Sequence, residues 1–178
     1  MCAIFGSFDT SMFEVLYAAN KKRGNFASSV VTLSPDDQYI RKKKGNINFD
    51  NYTYEPSSNY YSGHVQAPTS ANREWSSDTS HPFESLTWLV SHNGVLTNHK
   101  KLKRKYCRFI ENTVDTAVIV NAMEHYTQKA LSDKKRVVPE KIIKSVLELL
   151  AGTFALSIIF CNTNEMFIAR SGSILHYN

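Results

Sequence analysis

Strand-forming segments occur at the start, in the middle and at the end of this chain, with helical patterns between them. The predicted strands cover residues 2–8, 28–33, 38–41, 60–65, 86–91, 153–160 and 165–170. The predicted helices cover about residues 11–22, 115–128 and 139–150. Strands spread along the chain, with helices between and after them, predict an α+β fold whose sheets are covered by helices.

Local signals support these boundaries. Asp9 can cap the first helix, and Pro139 suits a first helical turn. Residues 34–37 and 162–164 have the composition of hairpin turns, and His92-Asn93-Gly94 is also typical of a turn. We expect irregular structure in two further places, residues 45–60 and about 70–84.

Length and composition fit one globular domain. The 178 residues suit a single domain, and 42% hydrophobic with 21% charged residues is typical of a packed core in water. No apolar run reaches the ~20 residues of a membrane span, and the N-terminus does not have the pattern of a secretory signal. The three cysteines suggest neither a disulfide framework nor a zinc site, so we expect a cytoplasmic protein.

The chain is basic, with a net charge of +5. Much of the excess lies in two runs, residues 41–44 and 100–105. Such runs can attract nucleic acid or an acidic partner, but they are also typical of a solvated surface. We take the solvated surface as the working interpretation and keep nucleic-acid binding as an alternative.

Cys2 is a candidate nucleophile, because removal of Met1 would make it the first residue. A free α-amino group has a pKa near ~8, so it can accept the thiol proton without a histidine partner. The sulfur could then attack an amide carbonyl to form a thioester, and the same amine could protonate departing ammonia. By itself, Cys2 could equally be an incidental buried cysteine in a first strand.

Several motifs together carry a resemblance to a known family. Met1-Cys2-Ala3-Ile4-Phe5-Gly6 resembles the opening of class II glutamine amidotransferases, which belong to the N-terminal-nucleophile (Ntn) hydrolases. Ser-His-Asn-Gly-Val-Leu-Thr-Asn at residues 91–98 resembles the family's His-Asn-Gly-x-(Ile/Leu)-x-Asn element. Further matches occur in the family's order at residues 23–24, 63–69, 81–82, 114–116, 150–156 and 169–172. The resemblance covers essentially residues 2–178.

This resemblance implies a fold and an activity. The fold would be a four-layer αββα sandwich of two antiparallel sheets flanked by helices, with Cys2 at the mouth between the sheets. Residues 1–178 would form a single glutaminase domain without a synthase domain. The domain would hydrolyse L-glutamine to glutamate and ammonia through a Cys2 thioester and pass the ammonia to a separate acceptor protein. No cofactor and no metal are implied.

The resemblance also assigns roles to individual residues. Asn93 and the backbone N–H of Gly94 would form the oxyanion hole, whereas the alternative for this pair is a plain hairpin turn. Asp115 would accept the α-ammonium group of glutamine, or would only cap the following helix. His81 would form a wall of the substrate pocket or serve a structural purpose. Arg23 would brace the adjoining loop.

The chain departs from the family at Gln66, where the family usually carries an arginine that grips the α-carboxylate of glutamine. A neutral amide cannot replace that charge, so either another cation such as Arg73 compensates or the pocket prefers another substrate. We include Gln66, Thr69 and Arg73 among the expected substrate-binding residues. Gln-Ala-Pro-Thr at 66–69 also resembles short, free-standing, phage-encoded relatives, which would work in a host cytoplasm. A second departure, at residues 25–29, puts any substrate role of that loop in doubt.

Two other functions stay open at this point. The chain could be an Ntn amidohydrolase that acts on another amide, for which Gln66 is the main argument. It could also be a catalytically silent binding or regulatory module that keeps the same fold.

Overall fold

Two four-stranded antiparallel sheets form the centre of the molecule. The structure is a computed structural model that describes residues 2–24, 26–34, 39–45, 47–49, 52–54, 58, 60–67, 76–107 and 114–176. The first sheet has the order β1-β4-β2-β3, from β1 (Ala3–Ser7), β2 (Ala27–Ser34), β3 (Tyr39–Gly45) and β4 (Tyr60–Gln66). The second has the order β5-β6-β7-β8, from β5 (Phe83–Glu84), β6 (Trp88–Leu96), β7 (Gly152–Phe160) and β8 (Glu165–Ser171). The helices are α1 (Thr10–Asn20), α2 (His99–Tyr106), α3 (Asp115–Ser132) and α4 (Pro139–Leu147).

The outer face of the first sheet packs against α1. Side chains alternate along a strand, so Phe5 and Val65 point to this face with the other odd-numbered residues of β1 and β4. They meet Phe13 of α1 and Phe49, whose rings stand 5.7 Å apart. This aromatic cluster attaches the first strand, and therefore the residue before it, to a rigid layer.

The outer face of the second sheet packs against α3 and α4. Even-numbered residues of β6 and β7 form this face, and they bury the largest core of the molecule together with residues of the two helices. Its fully buried members include Trp88, Val90, Ile119, Met123, Val146, Leu156 and Ile158.

The inner faces of the two sheets meet in a layer that is partly apolar and partly polar. Val31 and Leu33 of β2 contact Leu89 of β6 and Ile159 of β7. Elsewhere in the layer, polar side chains of β4 bond to the second sheet. The order of layers is therefore helix, sheet, sheet, helix, which confirms the predicted αββα sandwich.

The predicted local structure is confirmed in most places. The side chain of Asp9 caps α1 by accepting the Met12 N–H at 2.8 Å, and Pro139 is the first residue of α4. Residues 35–37 of the expected hairpin turn, and residue 38 of the strand expected after it, lie outside the described residues. The expected loop at 70–84 includes a short 3-10 turn, Ser77–Thr79, and strand β5.

The predicted turn at His92-Asn93-Gly94 is wrong. Strand β6 runs through these residues, and its pairing with β7 continues from Asn93↔Ala155 and Gly94↔Phe154 to Leu96↔Gly152. Asn-Gly favours a turn only when no neighbouring strand holds it extended, and β7 does so here. The simple hairpin-turn alternative for this pair therefore fails.

Helix α2 was not expected, because its sequence, HKKLKRKY, shows one apolar position among basic ones. That position, Leu102, is buried against Cys107 and Val118, and this contact holds the helix on α3. Its basic residues Lys100, Lys101 and Lys105 are exposed, as expected for a solvated surface.

The other basic run is engaged within the molecule. In β3, both Lys42 and Lys44 form ion pairs with Glu84 of β5, so they connect the edges of the two sheets. Lys43 points the other way, with its ammonium group 5.1 Å from the centre of the Tyr52 ring.

No helix within the described ranges is both long and apolar enough to cross a membrane.

The hydrogen bond between Trp88 and α3 provides a test of the core that the second sheet forms with α3 and α4. The fully buried Trp88 donates its Nε1–H to Thr127 Oγ1 at 2.9 Å. We expect Thr127→Val, which keeps the shape and removes the acceptor, to lower the free energy of unfolding by about 1–3 kcal/mol in urea titrations. Thr53→Val, at an exposed position, is the control. Equal stabilities of the two variants would contradict this account of the core.

Candidate active site

Cys2 lies at an open end of the sandwich, on the inner face of the first sheet. Ala3 pairs with Val65, so Cys2 stands opposite Gln66 at the end of β4. Its Sγ is 4.0 Å from the carbonyl oxygen of Ala67, and the residue is half-buried. Because residues directly opposite in an antiparallel pair point to the same face, both side chains point between the sheets.

The Arg23-Gly24 element packs against the same corner. The backbone N–H of Phe26 donates to the Gln66 carbonyl at 2.9 Å. This bond brings the backbone at Gly24 alongside β4. A Cβ at Gly24 would stand 2.4 Å from the Gln66 carbonyl carbon, so only glycine fits this approach. Arg23, exposed at the end of a 3-10 turn, directly precedes this glycine.

Two side-chain contacts between the sheets define which part of β6 faces Cys2. Ser62 Oγ lies 3.3 Å from Ser157 Oγ, and Ser157 pairs with Ser91. Two residues further along β4, His64 Nε2 lies 3.3 Å from the His92 carbonyl oxygen. The C-terminal direction along β4 therefore matches the C-terminal direction along β6. The end of the first sheet that carries Cys2 and Gln66 accordingly lies toward Asn93 and Gly94.

Asn93 and Gly94 present donors at this end of β6. Asn93 shares its face with Leu89, so it points between the sheets, and it is half-buried. Gly94 has a φ of +154°, and a Cβ there would stand 2.0 Å from the Thr153 carbonyl oxygen of β7. The close pairing of β6 with β7 thus requires glycine at 94.

Asp115, the first residue of α3, lies at the same end of the second sheet. Its Oδ2 accepts the Leu96 N–H at 3.1 Å, and its Oδ1 is 3.5 Å from His92 Nδ1. The residue that caps α3 is Val114, with no side-chain cap bond, so the Asp115 carboxylate serves β6 rather than the helix amides. Capping alone therefore does not explain this side chain.

The charge of Asp115 is well supported. Burial alone would raise the pKa of this carboxyl, but the hydrogen bonds from His92 and from the Leu96 N–H outweigh it and leave the pKa lowered. With 23% of its side chain exposed, Asp115 can present an ionised oxygen to a cationic ligand.

His81 and Gln66 belong to a network of buried side chains that lies behind Asp115. His81 Nδ1 is 3.3 Å from Gln66 Oε1, and His81 Nε2 is 2.9 Å from Thr116 Oγ1. Gln66 Nε2 donates to the Thr79 carbonyl at 3.1 Å. His81 and Gln66 are only 4% and 1% exposed, so the structure brings them together but not to the surface.

Sequence reasoning missed three residues of this network: His64, His92 and Thr116. Thr116 and His92 lie within the Val-Asp-Thr and His-Asn-Gly motifs, which were assigned to the family without a role for these two side chains. His64 stacks on His81, with ring centres 4.0 Å apart. For His92, its polarity among the apolar even positions of β6 was an available signal, since Trp88, Val90 and Leu96 share its face.

Some expected site residues cannot be placed. Met1, Thr69 and Arg73 lie outside the described residues. Among the residues that are described, no group of three or more His, Cys, Asp or Glu side chains could hold a metal ion. Cys107 and Cys161 are free thiols, as is Cys2.

Burial of His64 generates a pH prediction. Desolvation lowers its pKa to about 3, although its hydrogen bond to the His92 carbonyl opposes the shift. The unfolded chain binds a proton below about pH 6.5 and the folded one does not, so His64 destabilises the fold as the pH falls from 6.5 toward 3. Between about pH 7 and about pH 4.5 this amounts to about 2–3 kcal/mol.

We expect His64→Gln, which keeps a donor but does not titrate, to lose less stability than the wild type over this range in urea titrations. His176→Gln, at an exposed histidine, is the control and should follow the wild-type curve. Parallel curves for His64→Gln and the wild type would refute the assignment.

Comparison with known proteins agrees with this geometry. A family model described as "Glutamine amidotransferase domain" matches residues 75–173, more than half of the chain. The glutamine–fructose-6-phosphate aminotransferases of Geobacillus kaustophilus and Staphylococcus aureus (strain Mu50) are 26% and 28% identical to it. These matches cover 98% of this chain but 30% of each relative, so the chain spans less than a third of their length.

Solved structures share the fold. The glutamine phosphoribosylpyrophosphate amidotransferase from B. subtilis superimposes with a TM-score of 0.70 at 18% identity, over 95% of this chain and 36% of that one. An allosteric regulatory enzyme of purine biosynthesis gives 0.68 at 19% identity, with the same coverage. The chain therefore belongs to the glutamine amidotransferase domain family, and its two antiparallel sheets with flanking helices match the Ntn-hydrolase fold.

Proposed function

We propose that this domain hydrolyses L-glutamine to glutamate and ammonia, with Cys2 as the nucleophile. The observation that carries the proposal is the convergence of three groups at one open end of the sandwich. They are the Cys2 thiol, the Asn93–Gly94 segment and the Asp115 carboxylate.

The proposed reaction begins after removal of Met1. The α-amine of Cys2 accepts the thiol proton, and the sulfur attacks the side-chain amide carbon of glutamine. The tetrahedral intermediate collapses, the amine returns the proton to the nitrogen, and ammonia leaves a γ-glutamyl thioester. Water, deprotonated by the same amine, then hydrolyses the thioester to glutamate and restores the thiol.

Asn93 and Gly94 would stabilise the intermediate. Negative charge develops on the former amide oxygen, and the Asn93 side-chain amide with the Gly94 N–H are the proposed donors. The loss of one such donor typically costs about 3–4 kcal/mol of barrier height. Strand pairing with β7 holds both residues in place before substrate arrives, which is what makes such donors effective.

Asp115 would bind the α-ammonium group of glutamine. Its lowered pKa keeps the carboxylate charged at neutral pH. The Leu96 N–H and His92 orient its two oxygens, which keep further lone pairs for a ligand. An ion pair at this partly exposed site would select for substrates with a free α-amine.

The α-carboxylate of glutamine needs a different partner from Gln66, which is neutral and engaged by Thr79 and His81. Arg73 is the proposed cation, with Thr69 as a further contact. Gln66 is also the observation that favours the second candidate, an amidohydrolase that acts on another amide. A comparison of ammonia release from glutamine and from amides without an α-carboxylate separates the two.

We further propose that the ammonia passes to an acceptor outside this domain. Support comes from the relatives, whose names describe amino transfer to fructose 6-phosphate and whose chains extend well beyond the matched region.

We expect Cys2→Ala to abolish ammonia release from glutamine while the fold remains intact. Within the described part of the chain, the one hydrogen-bond contact of this side chain is the long one to the Ala67 carbonyl, so we expect little stability to depend on it. Cys161→Ala, at another half-buried free cysteine, should keep full activity. Mass spectrometry of the same samples identifies the N-terminal residue. Activity that survives in Cys2→Ala would exclude this nucleophile.

We expect Asp115→Asn to raise the KM for glutamine roughly a hundredfold, since the loss of one partner of a close charge pair costs about 2–5 kcal/mol. The asparagine oxygen can still accept the Leu96 N–H, so the fold should persist. Asp133→Asn, just beyond the far end of α3, is the matched control. An unchanged KM in steady-state assays of Asp115→Asn would remove it from substrate binding.

A further inference from the structure

Gln66 stands at one end of a buried chain of hydrogen bonds whose other end is Asp115. From Gln66 Oε1 the chain passes through His81, Thr116 Oγ1 and His92 Nδ1. Each of these side chains except Asp115 is at most 4% exposed. Such a series of buried hydrogen bonds allows few arrangements of its protons, and the contacts at its two ends select one of these arrangements.

The Thr79 carbonyl determines how the Gln66 amide is oriented. A carbonyl oxygen only accepts hydrogen bonds, so the amide group 3.1 Å from it must be the NH₂. The amide oxygen then faces His81 Nδ1 at 3.3 Å. The reverse orientation would set two acceptors against each other at Thr79.

This orientation determines the protons along the rest of the chain. Because Gln66 Oε1 accepts, His81 carries its proton on Nδ1, and its Nε2 is an acceptor. The Thr116 hydroxyl must then donate to His81 Nε2 at 2.9 Å. The Thr116 oxygen is left to accept from His92 Nδ1–H at 3.1 Å.

The Asp115 end requires the same arrangement. His92 Nδ1 is also 3.5 Å from Asp115 Oδ1, and a carboxylate needs a donor there. A proton on His92 Nε2 instead would set a ring lone pair against the carboxylate, and that N–H would have no partner among the described residues. The contacts at both ends of the hydrogen-bond series, Gln66 and Asp115, therefore require the Nδ1–H form of His92.

We propose that Gln66 is a positioning residue that sets the proton order of His81, Thr116 and His92 and thereby holds Asp115 in its binding geometry. This role rests on the proposed function only in that Asp115 binds the substrate ammonium group. Arginine, the family's usual residue here, has donors but no acceptor, so it could not accept the His81 Nδ1–H. This proton order therefore requires the replacement of the family's arginine by Gln66.

The direct test reads the ring protons by NMR. In the full chain, labelled with ¹⁵N-histidine at neutral pH, long-range ¹H–¹⁵N spectra report which ring nitrogen carries the proton. Single His→Gln variants assign the signals. We expect neutral Nδ1–H forms for His81 and His92, and an Nε2–H form for His64, which donates to the His92 carbonyl. An Nε2–H form of His81 in the wild type would overturn the proposal.

Variants at position 66 test whether Gln66 is the cause of this proton order. Gln66→Met fills the same space without an acceptor, so the His81 proton should move to Nε2 and the His92 signals should change. Gln66→Glu, protonated on the oxygen that faces the Thr79 carbonyl, still presents an acceptor to His81, which should retain its Nδ1 proton. Ser157→Ala, in the same layer between the sheets, is the control and should leave all three rings unchanged. A Gln66→Met spectrum identical to the wild type, or loss of the Nδ1 proton in Gln66→Glu, would overturn the proposal.

Kinetics test the link to Asp115. Gln66→Met should raise the KM for glutamine about tenfold with a smaller change in kcat, because a ground-state contact is weakened. An unchanged KM alongside altered ring protons would overturn the role in positioning Asp115. Absence of ammonia release by the wild type would refute the proposed function instead, while the spectra would still decide the proton order.

Discussion

The antiparallel pairing of β1 with β4 is the constraint on which the candidate site depends. It places Cys2 opposite Gln66 and turns both side chains toward the second sheet. The aromatic cluster under α1 anchors β1 from the other side, so the N-terminal residue is held although few contacts reach its own side chain. A slip of one residue would turn Cys2 to the outer face, away from Asn93 and Asp115.

The polar layer between the sheets is the second requirement. Buried polar groups are costly unless they find partners, and this layer contains His64, His81, a glutamine and several hydroxyl groups. Most of them bond across the gap or to one another, as Ser62 does to Ser157 and His64 to the His92 carbonyl. These bonds align the two sheets, and the same alignment brings the parts of the proposed site to one end.

Alternation and capping residues are local signals, so the sequence was sufficient to predict most strands and the helices α1, α3 and α4. The αββα order of layers followed from the resemblance to the family. The sequence failed at Asn93-Gly94, where pairing with β7 overrides a turn-forming pair, and at α2, which depends on the single buried contact of Leu102. It could not assign roles to Thr116 and His92, because their partners are 24 or more residues away in the chain.

The sequence alone determined the chemical groups that are present: a cysteine at position 2, an Asn-Gly pair, an aspartate before a helix and a glutamine in place of an arginine. The tertiary structure decided what surrounds each group. Gln66 is buried against His81 and Thr79 rather than open to a ligand, and Asp115 is charged and anchored to β6. The physical reason is that proton positions and pKa values depend on neighbours that are distant in the sequence, and folding alone brings those neighbours together.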